Sequence, residues 1–241
     1  MYINPTPEIN FEFDEPTLCL GSEINIMNQS SNIANESFEW FIDDSLASTQ
    51  ANPSFNLTLG GYFLTVHVVN QYGCKIRQSY EEALIVYDTT PLPAPEIIRS
   101  TVINDQDVYT EWAPKQNAVN TVKEYVLFKS LDQQSYDYLG TFNAFTDSYI
   151  DEDVDVFTDN YTYYVVSINQ CNVPSSASNI SSSVLLGYEK PNEFQTILRW
   201  TSYEKWKEGV NRYEVQKLNE YGQWDVIKIV NHNVNNTLLD P

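Results

Sequence analysis

The side chains in this 241-residue sequence whose types could support chemistry are its cysteines, its histidines and its clustered acids. The cysteines are Cys19, Cys74 and Cys171, and the histidines are His67 and His232. Their positions contain no Cys-x-x-Cys pair and no Cys/His spacing of the kind that a tetrahedral zinc site uses. The sequence therefore argues against a zinc centre.

Two of the three cysteines lie in the same N-terminal segment. Cys19 and Cys74 are both within the first 90 residues, whereas Cys171 lies much further along the chain. Two cysteines within one small, strand-rich segment favour a structural disulfide. We therefore predict a disulfide between Cys19 and Cys74, with Cys171 left over.

An acidic turn is the strongest candidate for a metal site. Asp151, Asp153 and Asp155 share the Asp-x-Asp-x-Asp spacing of calcium loops, and carboxylate oxygens are ligands that Ca²⁺ prefers. The central glycine and the bidentate glutamate that complete such loops are absent, which favours an ordinary acidic turn. These three residues are a weak calcium candidate, and apart from them we expect no metal and no cofactor.

Motifs for catalysis are missing from the sequence. It contains no Gly-x-Ser-x-Gly and no His-Glu-x-x-His, and it has only 8 glycines from which a phosphate-binding loop could be built. His67 lies within an alternating strand pattern, where a solvated histidine is far commoner than a general base. We therefore expect that the chain is not an enzyme and has no catalytic residues.

The charge balance excludes two classes of partner. Lys and Arg total 13 against 33 Asp and Glu, a formal net charge of −20. A chain this acidic repels nucleic-acid phosphates and anionic lipid headgroups. No apolar run reaches the ~20 residues of a membrane-spanning helix. We therefore expect no nucleic-acid binding and no membrane insertion, although a hydrophobic content of 42% is sufficient for folded cores.

The pattern of apolar residues predicts the elements that position these side chains. In residues 38–42 and 62–68 every second residue is apolar or aromatic, and Gly, Asn, Asp and Pro separate such segments. This pattern is typical of antiparallel strands with one buried face. Three prolines fall within residues 91–95, which predicts a stiff linker over residues 89–95.

After the linker the sequence repeats itself. Seven apolar, aromatic or basic positions recur at a constant spacing of 88 residues, which indicates tandem copies of one structural unit. The closing strands of the first copy fall at about residues 161–186, so their counterparts would lie beyond residue 241. We therefore expect the second copy to lack its last two strands. The paired positions are Trp112 and Trp200, Tyr125 and Tyr213, Leu127 and Val215, Lys129 and Lys217, Tyr136 and Trp224, Leu139 and Ile227, and Phe142 and Val230.

Residues 17–86 resemble the polycystic-kidney-disease-type (PKD) domain, in the form found in large surface proteins of Bacteroidota. The family usually has Gly-Asp-Gly after its tryptophan-containing strand. In this sequence Asp43-Asp44-Ser45 keeps an acid but lacks both glycines, so the sequence differs from the family pattern at this turn. The matching pieces are Cys19-x-Gly21-x-x-Ile24-x-Ile26, Phe38-x-Trp40-x-Ile42, Asn52-Pro53 and Gly60-x-Tyr62-x-Leu64-x-Val66-x-Val68-x-Asn70-x-x-Gly73-Cys74.

Residues 93–187 resemble a fibronectin type III module, and residues 188–241 resemble the first part of another copy. Trp112 stands where the module has its core tryptophan, and the alternating segment that begins at Tyr161 resembles the strand with the tyrosine corner. The resemblance implies that the Tyr161 hydroxyl bonds to the backbone a few residues upstream.

Together the two resemblances imply an all-β fold of tandem immunoglobulin-like β-sandwiches. The side chains expected in their cores are Trp40, Trp112, Tyr161 and Trp200. The expected domains are a PKD-like sandwich over residues 1–88, the linker over 89–95, a fibronectin type III-like module over 96–187, and an incomplete second such module over 188–241.

The order of these modules resembles the region before the C-terminal sorting domain of type IX-secreted proteins, which include large adhesins of gliding bacteria. The resemblance implies an extracellular or cell-surface location and a non-catalytic structural or adhesive role. The implied partners are neighbouring modules of the same long chain, the type IX secretion and gliding machinery, and surface glycans. The alternative is that these are accessory or carbohydrate-binding modules of a secreted hydrolase.

Overall fold

The computed structural model describes residues 8–13, 17–30, 37–80, 84–113, 122–205, 209–234 and 236–239. Over these residues the chain forms strands and no helix, so this part has no helix that could cross a membrane. The predicted all-β class is confirmed. The strands are β1 Phe11–Phe13, β2 Leu18–Cys19, β3 Glu23–Asn28, β4 Ser37–Ile42, β5 Ser45–Ser48, β6 Ser54–Asn56, β7 Gly60–Tyr62, β8 Leu64–Val69, β9 Lys75–Ser79, β10 Leu84–Tyr87, β11 Glu96–Ile103, β12 Asp107–Ala113, β13 Val122–Ser130, β14 Asp137–Asn143, β15 Ser148–Asp151, β16 Thr162–Asn169, β17 Ser181–Ser182, β18 Leu186–Asn192, β19 Gln195–Trp200, β20 Arg212–Leu218, β21 Trp224–Asn231 and β22 Asn236–Leu239.

The chain divides into two compact units. Unit 1 comprises Met1–Thr90 together with Gln170–Val173, and unit 2 comprises Pro91–Asn169 and Pro174–Pro241. The division at residue 90 falls inside the predicted proline-rich linker. The short segment 170–173 belongs to unit 1, which differs from the expectation that it is part of the module at 96–187.

Unit 1 has three sheets around a single core. Their strand orders are β1-β3-β6, β2-β10-β7 and β5-β4-β8-β9. Alternate residues of β4 and β8 point inward, so that Trp40 and Val66 are fully buried, and Phe11 packs edge-on against Trp40 with the ring centroids 4.6 Å apart. The indole N–H of Trp40 donates to the Gln50 carbonyl at 2.9 Å, which satisfies its polar atom within the core.

The turn where the sequence departs from the PKD pattern still forms a tight hairpin. Asp43 and Asp44 connect β4 to β5, and both have positive φ, of 47° and 63°. Two central residues with positive φ are typical of the two-residue turn that suits the twist of a hairpin, and aspartate tolerates this conformation better than most residues. Asp43 Oδ1 also accepts the Phe63 N–H at 2.9 Å, which holds the turn without the glycines.

Unit 2 begins with a complete seven-stranded sandwich, β11 to β17. One sheet has the order β11-β12-β15 and the other β14-β13-β16-β17. This is the three-against-four strand arrangement of the fibronectin type III and related immunoglobulin-like sandwiches. Trp112 and Tyr125, one from each sheet, are both buried and meet edge to face with their ring centroids 5.9 Å apart.

The remaining strands of unit 2, β18 to β22, repeat the first five strands of that sandwich. The sheet β18-β19-β22 corresponds to β11-β12-β15, and the pair β20-β21 corresponds to β13-β14. The register agrees with the spacing of 88 residues, because β22 begins and ends 88 residues after β15. Trp200 and Tyr213 meet at 5.5 Å in the position of Trp112 and Tyr125, with Trp200 9% exposed.

Tyr161 lies immediately before β16, is buried, and has its hydroxyl bonded to the backbone. The hydroxyl oxygen accepts the Asp155 N–H at 2.7 Å, six residues upstream. At the other end of the residue, the Tyr161 N–H donates to Ser183 Oγ at 2.9 Å. This is the geometry expected of a tyrosine corner, and it connects the loop after β15 to the start of β16.

We expect Tyr161→Phe to lower the free energy of unfolding of unit 2 by about 1 kcal/mol, because the Asp155 N–H loses its acceptor. Tyr164→Phe is the matched control, since Tyr164 lies three residues later and its hydroxyl makes no hydrogen bond within the described residues. Urea unfolding of both variants measures the difference. Equal stabilities for the two variants would contradict a structural role of the Tyr161 hydroxyl.

Candidate functional site

The acidic turn after β15 contains a buried ion pair. Asp151 is the last residue of β15, and its side chain is 1% exposed. Its Oδ2 atom lies 2.9 Å from Nζ of Lys129, which comes from the neighbouring sheet on β13. The same oxygen accepts a hydrogen bond of 2.9 Å from the Tyr163 hydroxyl on β16. One carboxylate therefore connects three strands.

The Lys129 ammonium is satisfied by this turn. Besides the Asp151 carboxylate, it donates to the Asp153 carbonyl oxygen at 2.9 Å, and it lies 5.4 Å from the centre of the Tyr161 ring. A carboxylate, a carbonyl and an aromatic face are together a complete environment for a primary ammonium. The Lys129 side chain is only 17% exposed, so these contacts replace most of its water.

The predicted calcium ligands are not brought together. Asp151 faces Lys129, Asp153 offers its backbone carbonyl to the same lysine, and the Asp155 carboxylate accepts the Phe157 N–H at 3.0 Å. In the described part of the chain, no three His, Cys, Asp or Glu side chains form a group that could hold a metal ion. The three predicted ligands therefore do not form one cation site in the described structure, and Asp151 is paired with the Lys129 ammonium.

Tyr163 is part of the same buried cluster. Burial, and then the negative charge of Asp151, raise the pKa of Tyr163 above its usual value. The hydroxyl therefore stays protonated and remains a donor to Asp151. The cluster provides neither an exposed base nor an accessible nucleophile. Its contacts connect strands β13, β15 and β16.

We expect Asp151→Asn to lower the free energy of unfolding of unit 2 by about 3 kcal/mol, because it leaves the Lys129 ammonium without a counter-charge in a largely buried position. Asp153→Asn is the matched control: its carboxylate is exposed, and its carbonyl contact with Lys129 persists, so a change within about 0.5 kcal/mol is expected. Thermal and urea unfolding measure both values. Equal losses, or a rise in stability of the wild type on adding Ca²⁺, would contradict the assignment.

The disulfide joins Cys19 to Cys171, and the predicted pairing of Cys19 with Cys74 is wrong. Cys19 lies in β2, which pairs with β10, and the Leu20 N–H donates to the Tyr87 carbonyl at 2.9 Å. Cys171 Sγ lies 3.8 Å from that same carbonyl oxygen. Both cysteines therefore meet at the end of β10, although 152 residues separate them in sequence.

Cys74 is exposed because it closes a turn of a different sheet. The turn connects β8 to β9, and Asn70 holds it: Asn70 Oδ1 accepts the N–H groups of Tyr72 and Cys74, at 3.0 and 2.9 Å. The Asn70 N–H in turn donates to the Cys74 carbonyl at 3.1 Å. Hydrogen bonds alone close this turn. An odd number of cysteines indicates that one of them stays unpaired, but the sequence does not show which one.

We expect peptide mapping without reduction to yield a linked peptide containing Cys19 and Cys171, with Cys74 alkylated. Cys171→Ser should lower the free energy of unfolding by about 2–5 kcal/mol, the range measured when native disulfides are removed. Cys74→Ser, the control, should change it by less than about 0.5 kcal/mol. A peptide linking Cys19 to Cys74 would overturn the assignment.

His67, on β8, lies beside an acid but not in a catalytic arrangement. Its Nδ1 atom is 3.6 Å from Glu39 Oε2, which is too long for a hydrogen bond. The same Glu39 oxygen pairs with Lys75 at 3.3 Å, and the His67 ring packs at 4.7 Å against Phe41. His67 is therefore a largely buried histidine rather than the expected solvated one: its side chain is 20% exposed, and its Nδ1 atom is buried without a hydrogen-bond partner among the described residues.

A polar recess of about 350 Å³ lies in unit 1. It contains groups of both charge signs, and the Thr65 and Ser79 hydroxyls in its wall are hydrogen-bonded to each other at 3.0 Å. The Tyr80 hydroxyl is buried, finds no hydrogen-bond partner among the described residues, and has its pKa raised by that burial. The recess is lined by Asp43, Asp44, Phe63, Arg77, Ser79 and Tyr80, among others.

No protein-family model matches the chain, and no curated protein matches it. Among solved structures it is similar to the fibronectin(III)-like modules of Clostridium thermocellum CbhA, at 13% identity and a TM-score of 0.43 over 72% of this chain and 93% of that one. It is similar to titin domains A168–A170 at 13% identity and a TM-score of 0.48, over 72% of this chain and 65% of that one. It is also similar to the FN1–FN3 domains of chicken CNTN1, at 8% identity and a TM-score of 0.38 over 96% and 87% of the two chains.

The fold and the buried groups together define the class of protein. The chain consists of fibronectin type III-like and immunoglobulin-like β-sandwiches. The evidence for this fold is the strand order of the chain itself, and not the similarity to the solved structures. The Asp151 cluster is an internal connection between strands, and a recess whose lining includes the exposed ring of Phe63 lies in unit 1.

Proposed function

We propose that the chain is a non-catalytic structural and adhesive segment of a large secreted bacterial cell-surface protein. The observation that carries the proposal is the disulfide between Cys19 and Cys171. Disulfides persist in oxidising compartments outside the cytosol. A covalent bond that closes so long a stretch of an acidic chain, whose described residues form strands and no helix, suits a protein that must stay folded outside the cell without chaperones.

The acidic composition supports the same role. A net charge of −20 favours the solubility of a chain of sandwiches. The buried charged cluster of Lys129 and Asp151 connects strands and offers no exposed catalytic group. The resemblance to modules of gliding-associated, type IX-secreted proteins names the partners of this proposal: neighbouring modules of the same long chain, and the secretion and gliding machinery.

A second candidate function is carbohydrate binding, as an accessory module of a surface protein or secreted hydrolase. The polar recess of unit 1 favours it. Asp44 and Arg77 offer an acceptor and donors for sugar hydroxyls, and Phe63, 63% exposed, offers a ring on which a sugar could stack. The buried Tyr80 hydroxyl adds a polar group without a partner in the described part of the chain.

The structural role is tested by where the protein is found and by the state of its thiols. In the source bacterium, an antibody against the chain should label intact cells, and proteinase added outside should remove the signal. A maleimide mass tag should modify Cys74 without reductant, and Cys19 with Cys171 only after reduction. Protein that is inaccessible in intact cells and takes three tags without reductant would contradict the proposal.

A glycan array probed with the same protein separates the two candidates. Binding that is lost in the Arg77→Ala variant, but kept in Phe145→Ala, favours the recess as a sugar site, because Phe145 is a fully exposed ring on unit 2. The absence of binding favours the structural role alone.

A further inference from the structure

The disulfide between Cys19 and Cys171 closes a covalent loop that contains most of the described core. The loop spans a sequence separation of 152 residues and includes β3 to β16. Trp40 of unit 1 and the Trp112–Tyr125 pair of unit 2, all buried, lie inside it. Of the buried apolar side chains in the described residues, only four lie outside the loop, and they are Phe11, Leu18, Trp200 and Val230.

The two ends of this loop are held at one point of unit 1. Cys19 pairs with Tyr87 in the parallel contact of β2 with β10, and the Leu20 N–H donates to the Tyr87 carbonyl at 2.9 Å. Cys171 Sγ lies 3.8 Å from the same carbonyl oxygen, and the Cα atoms of the two cysteines are 5.7 Å apart. The chain therefore enters and leaves the loop at neighbouring positions, at the end of β10.

This closure decides which strands a pull on the chain reaches. Tension applied before Cys19 and after Cys171 passes through the S–S bond, because the polypeptide between them cannot be stretched while that bond holds its ends together. Hydrogen bonds between strands contribute little individually, so paired strands separate at tensions that a covalent bond withstands. The strands β3 to β16 are therefore outside the path of the load.

The strands that remain in the load path are held by less packing. β1 pairs with β3 only over Phe11–Phe13, and β17 pairs with β16 only over Ser181–Ser182. In β18 to β22, Trp200 and Val230 are the only buried apolar side chains among the described residues. These strands are therefore the part of the described chain that yields under tension.

We propose that the Cys19–Cys171 disulfide acts as a tension bypass: it carries load past the cores of both units and limits how far the chain extends. This use rests on the proposed structural and adhesive role, in which load passes along the chain between neighbouring modules. The bypass differs from ordinary stabilisation by a disulfide, because it depends on where the load is applied, whereas a stability gain does not.

Single-molecule stretching of the 241-residue chain, held by handles at its two ends, tests the bypass. Without reductant the chain should extend by about 300 Å at most, because only residues outside the loop can be stretched, at about 3.6 Å each. After treatment with a phosphine reductant, 152 further residues become extensible, and an additional extension of about 500–550 Å is expected. Cys171→Ser should behave like the reduced chain, and Cys74→Ser, the matched control, like the oxidised wild type.

A change of attachment point provides a second control, in which all three cysteines stay native. One handle is moved from the N-terminal end to a tag inserted in the exposed turn at Asn104 and Asp105, between β11 and β12. The load then enters inside the loop and should unfold β12 to β16 although the disulfide is intact. The expected step is about 200 Å, the length of chain from that turn to Cys171.

Two results would overturn the proposal. The first is an extension far beyond about 300 Å in the oxidised chain held at its ends, since the load would then reach the enclosed strands. The second is an equal extension of the oxidised and reduced chains, since the enclosed strands would then resist the load without the bond. Because purified protein is stretched, neither result depends on where the cell places the chain, which the antibody and proteinase experiment decides separately.

Discussion

The contact between one tryptophan and one tyrosine across two sheets is the interaction on which both halves of unit 2 depend. Trp112 meets Tyr125, and Trp200 meets Tyr213, with the same interplanar angle of 62° and centroid distances of 5.9 and 5.5 Å. Large aromatic side chains contribute most when water is excluded from both faces. The first pair is covered by β16, and the second lies beside an open groove. The same local sequence thus has a different burial in each copy, because burial depends on strands that lie far away in sequence.

The buried carboxylate of Asp151 imposes a second constraint. A charge in a sandwich core is tolerated only with a partner and with its remaining lone pairs satisfied. Lys129 and Tyr163 meet both needs at 2.9 Å each, and they come from two different strands of the opposite sheet. The acidic turn is therefore specified by strand pairing, although its sequence imitates a calcium loop. The spacing of the acids is a local property of the sequence. Which positive group pairs with the Asp151 carboxylate depends on another strand, β13, which brings the Lys129 ammonium to it.

The features of the fold that depend on local alternation could be predicted from the sequence. Periods of two predicted the strands, the spacing of 88 residues predicted that β18–β22 repeat β11–β15, and the position of Tyr161 at the head of an alternating segment matched its hydroxyl contact with the Asp155 N–H. The disulfide could not be predicted in this way. Cys19 and Cys171 are 152 residues apart and meet because β2 and the segment 170–173 both lie beside Tyr87, the last residue of β10, in unit 1. A turn closed by Asn70 explains why Cys74 needs no bond, but asparagine in a turn does not distinguish it beforehand.

The charge of the chain bears on how the edge of β20 is protected. A net charge of −20 repels other copies at long range, but at physiological ionic strength that repulsion is screened beyond about 8 Å. At closer range the outward face of β20 is mixed, since Arg212 pairs with Glu214 at 2.7 Å, and this gives no repulsion against an approaching strand. On the neighbouring strand β21, Ile229 is 59% exposed, which adds apolar surface. Edges of this kind are protected in stable proteins by charge, by bulges or by a covering strand. A register shift between Val215 and Gln216 does not close the edge of β20, because its counterpart β13 has the same shift between Leu127 and Phe128 and still pairs with β16. Within the described residues this edge can therefore accept a further strand.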